Sequence, residues 1–161
     1  MIYRELKPDE YELLKNFTYE AIFIPEGAEF PDRSIIELPE LSIYYDDFGS
    51  GAADYCMVAE DMGCVVGAAW LRIMDDYGHV DDDTPSLAIS ILKRYRGQGI
   101  GAQLLQNILG MLKSKGYERA SLSVQKANYA VRMYRKAGFI TIDENDEEYI
   151  MLCSLSEPEI H

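Results

Sequence analysis

Three alternating glycines stand where an apolar stretch gives way to a helical pattern. The apolar stretch, residues 87–92, has the length of a strand and is largely apolar on both faces, which is typical of a central strand covered on each side. Gly97, Gly99 and Gly101 follow, and the next residues repeat with helical spacing. Glycines let a backbone approach a ligand closely, and the first turn of a helix offers unpaired N–H groups and the positive end of its dipole. This succession predicts an anion site, and the anion that fits is a pyrophosphate.

Other kinds of glycine loop compete with this interpretation. The pattern Gly97-x-Gly99-x-x-Ala102 fits the dinucleotide fingerprint formally, but that fingerprint needs an acidic residue near the end of the next strand, which here ends at Gln125. A Walker A loop is excluded because no Gly-Lys-Ser/Thr follows the glycines. A glycine-rich turn without any ligand stays open at this point.

Two motifs in the same order carry a family resemblance. The run Arg-x-x-Gly-x-Gly that begins at Arg96 resembles the Arg/Gln-x-x-Gly-x-Gly/Ala signature of the GNAT superfamily of acyl-CoA-dependent N-acetyltransferases. Residues 122–139 resemble that superfamily's later strand, its Asn-x-x-Ala helix at Asn128, its tyrosine at Tyr134 and its closing Gly-Phe. The two motifs cover residues 86–139, and the N-terminal half matches only in its general layout. The resemblance implies one GNAT-like α/β domain whose mixed central sheet has helices on both faces and parallel central strands that splay apart.

The resemblance also implies acetyl-CoA as the co-substrate, with no metal. The pantetheine arm would insert between the splayed strands along the backbone of Ile89, Ser90 and Ile91, with the Ile91 N–H near the thioester carbonyl, where negative charge develops. Arg96 would add positive charge near the pyrophosphate, although a surface salt bridge is its alternative role. Asn128 would contact the cofactor and also cap the helix that follows it. The residues whose N–H groups would surround the pyrophosphate are Gly97, Gln98, Gly99, Ile100, Gly101 and Ala102.

Tyr134 is the candidate catalytic residue, and the resemblance assigns its role. A tyrosine at this place in the superfamily lies beside the CoA sulfur and protonates the departing thiolate; the alternative is a core aromatic, since the chain has 12 tyrosines. The acceptor must first lose a proton, because an alkylammonium group titrates near about 10.4. Residues 86–92 contain no carboxylate, unlike relatives that have a glutamate on this strand. Asp83, His79 or an ordered water stay open as the base.

The elements that must position these residues alternate between strand and helix along one domain, residues 1–161. The predicted strands are 2–6, 55–60, 64–73, 87–92, 119–124, 139–142 and 149–153, and the predicted helices are 8–22, 41–48, 100–115 and 128–137. A hydrophobic content of 48% is sufficient for one sizeable core.

Charge is distributed unevenly along the chain. The net charge of −13 argues against general nucleic-acid binding. Between Lys93 and Lys136 there are ten lysines and arginines and one acidic residue, whereas residues 75–83 contain five aspartates and lead into the central strand. Opposite charges in one small domain suit an anionic cofactor and a cationic substrate, although solvated surface charge is the simpler account of any single residue.

Three cysteines without a Cys-x-x-Cys pair, and two histidines without ligand spacing, predict reduced thiols, a cytoplasmic location and no metal site. No apolar stretch approaches the length of a membrane span, and the N-terminus has no signal-peptide pattern. We therefore expect a monomer or homodimer that binds acetyl-CoA and an amine, without a nucleic-acid or membrane partner.

The predicted reaction is transfer of an acetyl group from acetyl-CoA directly to a primary amine, with a small cationic amine as the acceptor. Acetylation of a peptide or protein amine is the alternative within the enzyme class. A non-catalytic acyl-CoA-binding module is the alternative outside it, because the central strand lacks a carboxylate.

Overall fold

Seven strands form one mixed sheet in the computed structural model, which describes residues 1–155. They are β1 (Ile2–Glu5), β2 (Tyr55–Asp61), β3 (Cys64–Arg72), β4 (Ser86–Ile91), β5 (Arg119–Gln125), β6 (Ile140–Glu144) and β7 (Glu148–Ser154). Their order across the sheet is β1-β2-β3-β4-β5-β7-β6, and β4 runs parallel to β5. The helices are α1 (Leu13–Glu20), α2 (Pro39–Ser42), α3 (Ile100–Ser114) and α4 (Ala130–Lys136).

The two central strands meet at one end and separate towards the other. Ser86 at the start of β4 lies opposite Ser121 of β5, and this is the one registered pair between these strands in the described residues. On its other edge β4 pairs with β3 along its whole length. The predicted splay of the parallel strands is therefore confirmed, and a gap opens towards the C-terminal ends of β4 and β5.

Backbone groups of β4 point into this gap. The Leu92 N–H, just past the strand, donates to the Val66 carbonyl of β3 at 2.9 Å. Successive backbone groups of a strand point to opposite edges. The N–H groups of Ile89 and Ile91 therefore face away from β3 and towards the gap.

Helices cover both faces of the sheet, as predicted. One stripe of α3 packs on the sheet through Leu104, Leu105, Ile108 and Leu112, each at most 1% exposed. On the opposite face, Leu14 and Phe17 of α1 pack with Val58 and Trp70. Each such side chain contributes about 1.5–3 kcal/mol when fully buried, so these two layers hold the edges of the gap in place.

The predicted helix over 8–22 is wrong in its first turn. Pro8–Glu10 forms a separate 3-10 turn, and α1 begins at Leu13. The Glu10 carboxylate accepts the Lys7 N–H at 2.9 Å and pairs with Arg4 of β1 at 2.8 Å. These contacts fix the turn against the sheet.

The helix predicted over 41–48 is shorter and earlier than expected. Helix α2 is Pro39–Ser42, and turns follow it. Side chains of β3 bind the carbonyls that a longer helix would use, because Trp70 Nε1 donates to the Tyr44 carbonyl at 3.0 Å and Arg72 Nη1 to the Ile43 carbonyl at 2.9 Å. The other predicted boundaries lie within about two residues of those observed.

Within residues 1–155, no helix combines the length and apolar character that a membrane crossing requires. Over the same residues, no three His, Cys, Asp or Glu side chains converge on a common point where a metal ion could be held.

Candidate active site

The glycine loop turns the chain from β4 into α3. Gly97 and Gly99 have φ angles of +76° and +84°, in the left-handed region that other residues adopt at a cost. Gly99 immediately precedes α3, whose first turn has N–H groups without a partner inside the helix. Apart from chain neighbours, no described atom lies within 4 Å of where a Cβ would stand on either glycine. The loop backbone is therefore open to an anionic ligand.

A cavity of about 930 Å³ follows this loop, the gap between β4 and β5, and the start of α4. Of the residues proposed from the sequence, those that line it are Ile89, Ser90, Ile91, Arg96, Gly97, Gly99, Ile100, Gly101, Ala102, Asn128 and Tyr134. Gln98 is not part of the lining, and its side-chain amide donates to the Arg94 carbonyl at 3.2 Å. The structure thus brings the predicted residues together, while their contacts with a cofactor stay predictions.

Arg96 connects three parts of the cavity wall. Its Nε donates to the Ile91 carbonyl at 2.9 Å, and its Nη2 donates to the Glu20 carbonyl at the end of α1 at 3.1 Å. The guanidinium is also 3.9 Å from the Glu20 carboxylate. Arg96 therefore fixes the end of β4 while its charge stays at the cavity surface.

Ser90 places a polar atom in the wall without a partner. The residue is 3% exposed, and its Oγ makes no hydrogen bond with the described residues. A buried hydroxyl without a partner costs about 1–3 kcal/mol, and this oxygen has almost no surface open to the cavity. The gap-facing N–H groups of Ile89 and Ile91 are the groups that make the cavity suited to a polar, extended ligand.

Tyr134 and Asn128 come from the α4 side of the cavity. The Tyr134 ring is 8% exposed and packs edge-to-face on Phe139, with ring centroids 5.8 Å apart. Burial, with a smaller effect of Tyr129, raises the pKa of the Tyr134 hydroxyl, so it stays protonated and able to donate. Asn128 Oδ1 accepts the N–H of Ala130, the first residue of α4, at 2.9 Å, although Tyr129 and not Asn128 is the residue that directly precedes this helix.

A second cavity of about 300 Å³ adjoins the first at the gap. Tyr134, Ile89 and Asn128 line both cavities. Polar and apolar side chains share the walls of the second cavity, and within residues 1–155 Glu148, the first residue of β7, is the only charged residue in the lining. Burial and the neighbouring Glu147 raise the pKa of the Glu148 carboxyl.

Tyr44 contributes a fixed hydroxyl to the same second cavity. Its O–H donates to Asp76 Oδ2 at 2.9 Å, and Ser86 Oγ donates to the other oxygen of that carboxylate at 2.9 Å. Burial raises the pKa of Asp76, although these hydrogen bonds oppose the shift. Because Trp70 holds the Tyr44 carbonyl, the phenol is restrained from both ends.

Comparison with known proteins identifies the family. The family model described as "Acetyltransferase (GNAT) family" matches residues 15–139. The chain belongs to the GNAT acetyltransferase family. Over 68 residues it is 35% identical to the [ribosomal protein bS18]-alanine N-acetyltransferase of Haemophilus influenzae, a match that spans 42% of this chain and only 47% of that relative.

Solved GNAT structures share the fold along nearly the whole chain. A putative acetyltransferase from Salmonella typhimurium, solved with its cofactor acetyl-CoA, superimposes with a TM-score of 0.69 at 16% identity, covering 100% of this chain and 97% of that one. The ribosomal-protein-S18-alanine N-acetyltransferase from Escherichia coli does so with a TM-score of 0.66 at 18% identity, covering 98% and 96%. At these identities the likeness establishes the fold.

The base candidates taken from the sequence lie elsewhere in this GNAT domain. Asp83 and His79 line neither cavity, and His79 Nε2 lies 3.5 Å from Asp82. Asp81 accepts hydrogen bonds from Thr84 and Arg119 at 2.8 and 2.6 Å. Of the five aspartates in residues 75–83, Asp76 is connected to the second cavity indirectly, because its carboxylate accepts the hydrogen bond of Tyr44, which lines that cavity.

Sequence reasoning did not single out Glu148 or Tyr44. The sequence leaves Glu148 between the predicted strands 139–142 and 149–153, and its place is visible only because β7 pairs it with Gln125 at the end of β5. Matching the two strands residue by residue would have brought it to the gap. The residues around Tyr44 in the sequence do not indicate its role. Its position is set by a turn that hydrogen bonds from β3 side chains hold.

Proposed function

We propose that this protein transfers the acetyl group of acetyl-CoA directly to a primary amine, and that the acceptor is a small cationic amine. The observation that supports this is the meeting of two cavities of unlike charge at Tyr134. The larger has Lys93 and Arg96 against a single acidic residue, Glu20, and the smaller has Glu148 as its only charge within residues 1–155. A polyanionic cofactor suits the first, and an ammonium group suits the second.

The residues present fit acetyl-CoA. The open N–H groups of residues 97–102, with Arg96 beside them, would hold the pyrophosphate, and Asn128 would contact the cofactor from the α4 side. The gap-facing N–H groups of Ile89 and Ile91 would hold the extended arm, which would run along the Ser90 segment of β4. When bound, acetyl-CoA supplies an activated acyl group on a sulfur leaving group.

The chain's own groups have two chemical tasks. The Ile91 N–H, fixed in the gap, would donate to the acyl oxygen as it gains negative charge, an effect typically of a few kcal/mol. The neutral Tyr134 hydroxyl, in the wall common to both cavities, would protonate the departing sulfur. Acetyl transfer would then need no covalent enzyme intermediate.

A protein or peptide α-amine is the second candidate acceptor, because a relative of the chain is named for acetylation of a ribosomal-protein alanine. The volume of the second cavity, about 300 Å³, is that of a small-molecule site and favours the small amine. The two acceptors also differ in acidity, since an α-ammonium titrates near about 7.7–8.0 and an alkylammonium near about 10.4.

An acetyl-CoA consumption screen tests the proposal. The panel contains n-butylamine, polyamines, aminoglycosides, lysine and peptides with N-terminal alanine, and calorimetry measures acetyl-CoA binding separately. We expect acetyl-CoA to bind and a small amine to give the highest kcat/KM. Preference for the peptides would favour the second candidate. Binding without transfer to any amine would make the protein a non-catalytic acyl-CoA module, and no binding would contradict the proposal altogether.

The cytoplasmic location and the monomeric or homodimeric state stay predictions.

A further inference from the structure

Glu148 lies in the wall of the second cavity. It is the first residue of β7 and pairs with Gln125, where β5 ends beside the gap. Its side chain is half-buried, and its carboxylate has no hydrogen bond or ion pair with any residue in the described range 1–155. Its backbone N–H donates to Asn145 Oδ1 at 2.7 Å, which fixes the start of the strand. The backbone at Glu148 is thus fixed, and its carboxylate oxygens are left without a partner among residues 1–155.

The polar residues around the second cavity include one charged acceptor, Glu148, beside hydroxyl and amide side chains such as Ser123 and Gln125. Glu148 contributes carboxylate oxygens, and Tyr44, whose O–H donates to Asp76, lines the same cavity. An ammonium group has three donors and no acceptor, so it complements this pair. The rest of the wall includes Leu41, Phe23 and Trp70, which suits an apolar stem next to a single positive charge.

We propose that Glu148 binds the ammonium group of the acceptor and then takes one of its protons, and that the acceptor is an amine with one charge on an apolar stem. This inference rests on the proposed acetyl transfer, for which it supplies the base that the central strand lacks.

The protons and electron pairs balance as follows. The ammonium nitrogen gives one proton to Glu148, and the freed electron pair forms the bond to the acyl carbon. The carbon–sulfur bond breaks with its electron pair on sulfur, which takes the proton of Tyr134. The second proton lost from nitrogen returns to the Tyr134 oxygen, and Glu148 releases its proton to solvent.

The surroundings favour proton transfer between these groups. In the free protein, burial and the neighbouring Glu147 raise the pKa of the Glu148 carboxyl, which makes it a better proton acceptor than an exposed glutamate. The other titratable groups around the cavity are Tyr44, Asp76 behind it, and Tyr134 across it. A raised carboxyl pKa means that amine binding is lost as the pH falls through that value, which lies above the ordinary 4.5.

The test uses n-butylamine with wild-type protein, Glu148→Gln and the control Asp146→Asn, which removes the same charge from an exposed residue two positions away. Calorimetry in the presence of CoA gives the Kd of n-butylammonium without turnover. Initial rates at a series of pH values from 4.5 upwards, the range in which the raised pKa of Glu148 lies, give KM and kcat. Thermal melting checks that each variant is folded.

We expect Glu148→Gln to raise the Kd and KM for n-butylamine at least about tenfold, as for loss of a charged hydrogen bond, and to lower kcat as well. The acid-side fall in wild-type binding should disappear in this variant, and Asp146→Asn should behave like wild type. Wild-type binding that is absent, or unchanged in Glu148→Gln, would overturn the inference. If wild type acetylates amines but Glu148→Gln keeps the same KM, kcat and pH profile, the inference fails while the proposed function stands. Failure of the wild type to acetylate any amine contradicts the function itself.

Discussion

At the scale of single residues, the Tyr134 hydroxyl is the most direct test of the proposed chemistry. Tyr134→Phe keeps the ring that packs on Phe139 and removes only the O–H group. General acid catalysis commonly contributes about 10²–10⁴-fold, so we expect kcat to fall at least about tenfold with the Kd for acetyl-CoA nearly unchanged. Single-turnover acetyl transfer and calorimetry measure the two quantities.

Tyr117→Phe is the matched control for that experiment. Tyr117 packs edge-to-face on Tyr55, with ring centroids 6.4 Å apart, and lines neither cavity. Its replacement should leave kcat unchanged. If Tyr134→Phe also left kcat unchanged while chemistry limits the rate, the acid role would be refuted and Tyr134 would be a packing residue.

At the scale of elements, a substitution at Gly99, where the glycine loop meets α3, tests the backbone conformation alone, because the added methyl group meets no side chain. Gly99→Ala places a Cβ in open space but forces alanine to adopt a φ of +84° or to move the loop. We expect a loss of about 1 kcal/mol in unfolding free energy and at least about tenfold weaker acetyl-CoA binding, because the N–H groups change direction.

Gly110→Ala, in the middle of the same helix, adds the same methyl group where it also meets nothing within 4 Å. It should stabilise the protein by about 0.5–1 kcal/mol and leave acetyl-CoA binding unchanged. Urea unfolding and calorimetry on both variants give the comparison. Equal acetyl-CoA binding by the two variants would show that the loop conformation is not needed for the cofactor.

The sequence predicted those elements whose signals are local. The apolar spacing of α3 and the two apolar faces of β4 predict these elements. The proposed site residues between Ile89 and Ala102 lie at the end of β4, in the glycine loop and at the start of α3. The acceptor side could not be predicted in this way. Tyr44 is placed by hydrogen bonds from β3, and Glu148 by its register with β5, so both depend on contacts between distant parts of the chain.

At the scale of the whole molecule, the net charge of −13 attracts cations. Attraction of this kind weakens as the Debye length shortens, so we expect kcat/KM for n-butylamine to fall at least about twofold when salt rises from about 0.02 to 0.3 M. The control acceptor is 4-aminobutyrate, which carries a carboxylate on the same stem and has no net charge. Initial rates at constant pH, with saturating acetyl-CoA, give both values. An equal salt dependence for the two acceptors would show that the charge of the amine is not what the protein attracts.

The single Ser86–Ser121 pair leaves the sheet as a four-stranded part and a three-stranded part that share little backbone hydrogen bonding. We expect the Ile89 and Ile91 amides to exchange with deuterium quickly in the free protein, whereas the Leu92 amide, bonded to Val66, exchanges slowly. A bound cofactor arm would protect the first two amides and leave the third as it was. The ligand would then act as the missing strand of the sheet, and the two parts would open to solvent together instead of separately.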